Sequence, residues 1–150
     1  LCISMEVMEQ ACLFYINVAK LAGYGEEDIC VIKGLFADIV RPTVILKDEV
    51  WQFSGSNPSG HPLTTFVNSI ANSLYYRSAF YALNPKLAGK PFRKYVNLMT
   101  FGDDSIAGVA PGVDFPHSKI QSYFAAHQIK YTLATKQEGT VEYQDLSEVD

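Results

Sequence analysis

The stretch from Tyr95 to Val109, YVNLMTFGDDSIAGV, limits the possible folds more than any other part of this chain. An apolar run ends in Gly102, Asp103 and Asp104, and a second apolar run follows at once. Two such runs across so short a break predict a β-hairpin with the two acids at its tip. Gly-Asp pairs are common turn formers, so the acids alone say little. Their setting says more: two carboxylates about 5 Å apart repel by roughly 3 kcal/mol at an effective dielectric near 20. A divalent cation removes that penalty. Oxygen ligands of this kind favour Mg2+ or Mn2+, which keep some waters and accept phosphate oxygens as further ligands.

A second constellation lies upstream. The segment SGSNPSGH, residues 54–61, is rich in Gly, Pro and polar turn formers and predicts a loop. Pro62 then suits the first turn of a helix running to about Leu83. Within SGHPLTTFVNS, Ser59 and Gly60 end the loop, while Thr64, Asn68 and Asn72 recur every four residues and so share one helical face. That polar stripe, beside an apolar face of Phe66, Val67, Ile70 and Leu74, has the groups to bond a sugar hydroxyl or to make local helix-start hydrogen bonds.

The remaining segments supply a scaffold. Between Cys2 and Ala22, Val7, Met8, Ala11, Phe14, Tyr15, Val18, Ala19 and Ala22 recur at three and four spacing, which predicts a core helix ended by Gly23. A shorter helix is expected from Glu26 to Ile39, with Glu26, Glu27 and Asp28 at its positive end and Pro42 barring continuation. TVILK and EVWQF flank Lys47 and Asp48 as a hairpin, with Trp51 expected in the core. Asn84, Pro85, Gly89 and Pro91 break the chain before the Gly-Asp-Asp hairpin, and Pro111 and Gly112 turn it afterwards. Ile120, Tyr123, Phe124 and His127 mark a helix over about 116–128, IKYTLAT reads as a strand, and the tail from Lys136 to Asp150 is weakly patterned. With no repeat or internal linker, one domain or part of one is expected. From Pro62 onward the order is helix, strand, strand, helix, strand. One earlier strand would complete a β-α-β-β-α-β arrangement, so the fold class is α+β, an incomplete ferredoxin-like antiparallel sheet with helices on one face.

Composition removes several functions. A hydrophobic content of 48% is incompatible with a disordered tail, while no apolar segment reaches the roughly 18 residues that span a bilayer. The start, LCISMEVMEQ, lacks the features of a signal peptide, and the chain reads as intracellular. Cys2, Cys12 and Cys30 suggest neither a disulfide framework nor a zinc site and are expected as reduced core thiols. A net charge of −4 argues against a self-contained nucleic-acid binder. Ser59 with His61 or His127 lacks the strand-turn-helix elbow of a serine nucleophile. His61, His117 and His127 show no metal-ligand spacing. Lys136 by itself reads as an exposed lysine.

Taken in order, these residues resemble the palm subdomain of viral RNA-dependent RNA polymerases of picornavirus-like positive-strand viruses. Ser59, Gly60, Thr64, Asn68 and Ser69 match that family's motif B, within about 54–83. Phe101, Gly102, Asp103 and Asp104 match motif C, within about 95–109, and LATKQEG resembles motif D, within about 116–139. The resemblance covers roughly Val44 to Gly139. It implies template-directed RNA synthesis in viral genome replication by phosphoryl transfer with two metal ions, Mg2+ or Mn2+. Asp103 would be a principal metal ligand and Asp104 an assisting one. The Ser59–Gly60 loop would shift with nucleotide entry, Thr64 and Asn68 would check the ribose 2′-hydroxyl, and Lys136 would donate a proton to pyrophosphate. The implied partners are RNA template and primer, nucleoside triphosphates, the remaining fingers and thumb of the same polyprotein, and other viral replication proteins. The implied setting is the host cytoplasm at membrane-associated replication complexes.

Two departures qualify the match. Phe101 stands where many relatives have Tyr, keeping the ring and losing the hydroxyl. The paired acids of motif A are absent, since Asp28, Asp38 and Asp48 have the wrong spacing, and so is motif E. The chain therefore reads as a fragment, with palm and some adjoining fingers, inactive by itself. Basic RNA-binding surfaces would lie in the missing parts. A catalytically dead palm serving as an RNA or protein interaction module, and a reverse transcriptase palm, are the competing readings. Gly102 before the acid pair and Asn68 both speak against the latter.

Overall fold

The computed structural model of the chain describes residues 3–55, 57–132 and 142–143. It contains α1 (Met5–Leu21), α2 (Glu26–Val40), β1 (Thr43–Leu46), β2 (Glu49–Gln52), α3 (Thr64–Leu83), β3 (Val96–Phe101), β4 (Asp104–Val109) and α4 (His117–Ala126). Short 3-10 turns, Pro85–Leu87 and Phe92–Lys94, link α3 to β3. Among the described residues the strands form two two-stranded sheets, β1 with β2 and β3 with β4, giving a mixed helix and small-sheet α+β structure. The expected strand IKYTLAT is not found over 129–132, and its remainder lies outside the described residues. The chain divides into two compact units, Leu1–Asn72 with Thr100–Asp104, and Ser73–Met99 with Ser105–Asp150.

In the first unit, the Ser4 hydroxyl caps α1 by accepting the Val7 N–H at 3.4 Å. At the other end Gly23 sits at φ +89, and its N–H and that of Tyr24 reach back to Lys20 and Ala19 carbonyls. This is the Schellman closure expected of a glycine at that place. The buried face of α1 is Met8, Ala11, Cys12 and Ile16. It is rotated from the expected stripe, for Phe14 and Val18 are exposed. The helix is apolar over more of its circumference than its described neighbours cover. From α2, Ile29, Phe36 and Val40 are buried, and Phe36 stacks with Tyr15 at 6.3 Å. Val67 and Ala71 of α3 are fully buried as well.

The expected β1–β2 hairpin forms, with Thr43 opposite Gln52 and Leu46 opposite Glu49. Every residue of both strands is exposed. Trp51 is therefore not a core residue: its indole lies open and donates to Glu49 Oε2 at 3.0 Å. Cysteine placement also differs from expectation. Cys12 is buried, and loss of hydration together with nearby Glu9 pushes its thiol up to about 11, whereas Cys30 is exposed. Cys2 lies outside the described residues.

The second unit has an aromatic core. Phe80 on α3 meets Phe92, Phe115 and Tyr95 at ring separations of 5.1, 5.5 and 5.9 Å, mostly edge to face. Arg77 lays its guanidinium 4.5 Å over the Phe92 ring. Ile120 and Phe124 bury the inner face of α4, as their spacing predicts, while His127 is exposed. α4 closes with the same Schellman pattern as α1, but Gln128, not glycine, occupies the left-handed position at φ +58.

Candidate active site

The tip of the β3–β4 hairpin is built from α3 outward. Gly102 is buried at φ +63, a conformation in which a side chain is strained. Its N–H donates to Ser69 Oγ at 2.8 Å, and the Ser69 hydroxyl donates in turn to the Thr65 carbonyl at 2.7 Å. Thr100 Oγ1 donates to the Ser69 carbonyl at 3.0 Å. One turn further along α3, Asn72 is buried at 6% exposure. Its Nδ2 group faces the carbonyls of Gly102, Asp103 and Asp104 at 3.4, 3.1 and 3.4 Å. Two amide hydrogens are thus shared by three acceptors that would otherwise lose hydration in the turn. The backbone of the acid pair is fixed while both acidic residues stay exposed.

The polar stripe on α3 is consequently spent in a different way from the sugar-binding expectation at one of its three members, because the Asn72 NH2 group is taken by the turn. The other two face the preceding loop. Thr64 Oγ1 donates to the Pro58 carbonyl at 2.9 Å. Asn68 Oδ1 accepts from Asn57 Nδ2 at 2.8 Å, and the same Nδ2 donates to the Thr64 carbonyl at 3.0 Å. Asn57 Oδ1 lies 2.7 Å from His61 Nε2, and His61 Nδ1 accepts the Leu63 N–H at 3.2 Å. Burial lowers the His61 pKa, the direction that favours the neutral ring this acceptor role requires. Sequence reasoning does not reach the supporting roles of Asn57, His61, Ser69 and Asn72 in the loop and turn. For Ser69 and Asn72 a signal exists, since Thr65, Ser69 and Asn72 fall on adjacent rows of one helix face. For Asn57 there is none, because a loop has no periodicity.

Of the candidate residues, Asp103 and Asp104 stand at the hairpin tip, and Thr64 and Asn68 are half-buried on the helix that holds it. Ser59 and Gly60 are exposed in the loop entering α3, Gly60 at φ +91. Lys136 lies outside the described residues. Among the described residues no group of three or more His, Cys, Asp or Glu could hold a metal ion. Two adjacent exposed carboxylates on a fixed backbone still match the donor set of Mg2+, which binds through one or two carboxylates and completes its shell with water and phosphate oxygens.

The chain is 32% identical over 90 residues to the replicase polyprotein of Drosophila C virus, covering 57% of this chain and 5% of that protein. It is 30% identical over 132 residues to the replicase polyprotein of Cricket paralysis virus, covering 83% of this chain and 8% of that protein. It is 28% identical over 134 residues to the RNA1 polyprotein of Beet ringspot virus, covering 89% and 6% respectively. The chain thus spans less than a tenth of the length of these relatives. A profile of the family described as viral RNA-dependent RNA polymerase matches residues 24–150, the hairpin tip and α3 included. The chain therefore belongs to the viral RNA-dependent RNA polymerase family.

Proposed function

We propose that this chain is the part of a viral RNA-directed RNA polymerase that carries half of the metal-binding acids and the ribose-facing helix of the palm, together with some adjoining fingers. The observation that carries the reading is the fixing of the Gly102-Asp103-Asp104 turn on α3 by Ser69 and Asn72. The same helix bears Thr64 and Asn68 at its start. Such an arrangement sets an acid pair and a sugar-bonding stripe on one rigid element, which is the requirement for positioning a triphosphate and a primer end together.

In this reading Asp103 is the principal ligand and Asp104 the assisting ligand of Mg2+ or Mn2+, with further ligands from parts of the polymerase outside this chain. The bound cations would supply charge neutralisation at the triphosphate and the attacking 3′-hydroxyl. The chain's own residues hold the acids in place, orient the ribose through Thr64 and Asn68, and admit the nucleotide beside the Ser59–Gly60 loop. Lys136 is assigned proton donation to the pyrophosphate leaving group. The proposed substrates are nucleoside triphosphates with an RNA template and primer. The remaining fingers and thumb of the polyprotein contribute the basic surface that a net charge of −4 lacks here. The four-stranded ferredoxin-like palm sheet belongs to this proposal, as does a site of action on host cytoplasmic membranes shared with other replication proteins. No helix among the described residues is long and apolar enough to cross a membrane.

The test is Asp103→Asn in the complete polymerase, assayed by primer extension in Mg2+. Extension should fall by at least about 100-fold, on the scale of removing a group that stabilises transition-state charge. Near-normal extension would end the assignment.

A further inference from the structure

The loop entering α3 contains a chain of hydrogen bonds whose direction is fixed at both ends by backbone groups. At one end the Leu63 N–H donates to His61 Nδ1 at 3.2 Å, so the neutral ring carries its proton on Nε2. That Nε2–H must donate to Asn57 Oδ1, 2.7 Å away. At the other end the Thr64 carbonyl can only accept, so the group 3.0 Å from it is the Asn57 NH2. The second hydrogen of that NH2 then requires an acceptor, and Asn68 presents Oδ1 at 2.8 Å. Neither His61 nor Asn57 can reverse without breaking a bond to backbone, and Asn68 cannot reverse without turning its NH2 onto that of Asn57. Asn68 is thereby left with its own Nδ2 hydrogens outside the chain, and among the described residues they have no protein acceptor.

We infer that Asn57, itself held by His61, is a positioning residue for sugar recognition: it locks the Asn68 amide so that its NH2 is presented to the ribose 2′-oxygen. The inference rests on the proposed ribose role of Asn68. Without Asn57 the Asn68 amide can rotate, and each orientation other than the locked one weakens the contact that distinguishes a ribonucleotide from its 2′-deoxy analogue. A loop residue that touches no substrate then governs which sugar is accepted. The Ser59–Gly60 pair lies between Asn57 and His61 in sequence, so movement of that pair and orientation of Asn68 are linked through the same short segment.

The experiment compares kcat/KM for a nucleoside triphosphate and its 2′-deoxy analogue in the complete polymerase, for the parent, N68A, N57L and H61A. The ribo-to-deoxy ratio should fall about 10-fold or more in N68A and N57L, and less in H61A, as expected for groups that act by orientation. A merely structural role for Asn57 would lower both kcat/KM values alike and leave the ratio unchanged. A ratio that falls in N68A but not in N57L overturns the positioning role alone. An unchanged ratio in N68A overturns the ribose reading, and the inference with it, whatever N57L does. Should N57L fail to fold, H61A reads the same chain one bond further out, and an unchanged ratio there overturns the positioning role.

Discussion

The two hairpins of this molecule have similar sequences at first sight and opposite fates. Each is an apolar pair of strands around a two-residue turn, and each turn contains a residue at positive φ, Lys47 at +56 in one and Gly102 at +63 in the other. The β3–β4 turn is held by side chains of α3, which satisfy one N–H and three carbonyls of the tip. Among the described residues, the backbone bonds that tie down the β1–β2 hairpin are at its base, Phe53 N–H to the Pro42 carbonyl and Gly55 N–H to the Val40 carbonyl. Its strands are exposed throughout, Ile45 at 76% and Val50 at 72%. Strand propensity makes a hairpin in both cases, but only a helix carrying Ser69 and Asn72 makes one with a fixed tip. The proposed metal site needs the fixed tip.

The largest effect that would sharpen this contrast is expected at the base of the free hairpin. A Cβ on Gly55 would meet the Ile3 carbonyl oxygen at 2.8 Å and the Met5 nitrogen at 3.0 Å, with φ at +71. Both obstacles are backbone, so neither can swing aside. Gly55→Ala should cost about 3 kcal/mol or more, combining left-handed strain with displacement of the start of α1. Denaturant unfolding checks this, and a cost below about 1 kcal/mol would mean that the base of the hairpin is not pinned.

A somewhat smaller loss is expected at the fixed tip. Asn72→Leu keeps the volume and removes the side-chain donor that the three turn carbonyls share. Leaving one buried and two part-buried acceptors without their donor should cost about 2 kcal/mol, and the freed turn should lower primer extension by the complete polymerase about 10-fold or more. Normal extension with the expected loss of stability would separate the hold on the turn from the chemistry.

How much of this is legible in the sequence depends on what kind of force sets each feature. The helices are readable because their end signals are local: Gly23, the acidic run Glu26, Glu27 and Asp28, and Pro42 act within a few residues of themselves. The Gly-Asp-Asp hairpin and the helix behind it are readable for the same reason, since residue spacing alone puts the acids at a tip and Thr64, Asn68 and Asn72 on one stripe. What that stripe does is only partly legible, because Asn72 is taken by carbonyls some thirty residues away in sequence. The buried face of α1 differs from the expected one by part of a turn, and Trp51 and Cys30 lie outside the core they were expected in. Composition tells which residues could be buried and not which neighbours are there to cover them. The Asn57–His61–Asn68 chain is invisible for another reason: its members are ordinary turn residues whose meaning comes from direction, and hydrogen-bond direction has no sequence period.

The smallest predicted effect is the one that most directly tests the comparison. On the free hairpin, Val50 pairs with Ile45 across the strands and both side chains lie largely in water. Replacing Val50 by Thr keeps the β-branched shape and the strand propensity while exchanging a methyl for a hydroxyl that is already solvated. Stability should therefore change by no more than about 0.5 kcal/mol in denaturant unfolding of this chain, the usual range for a surface position. The same exchange at a position facing a packed neighbour costs more, because Val to Thr is not a conservative change inside a core. If Val50→Thr destabilises this chain by more than about 1 kcal/mol, the β1–β2 strands are covered in solution, and the distinction between a held tip and a free hairpin fails.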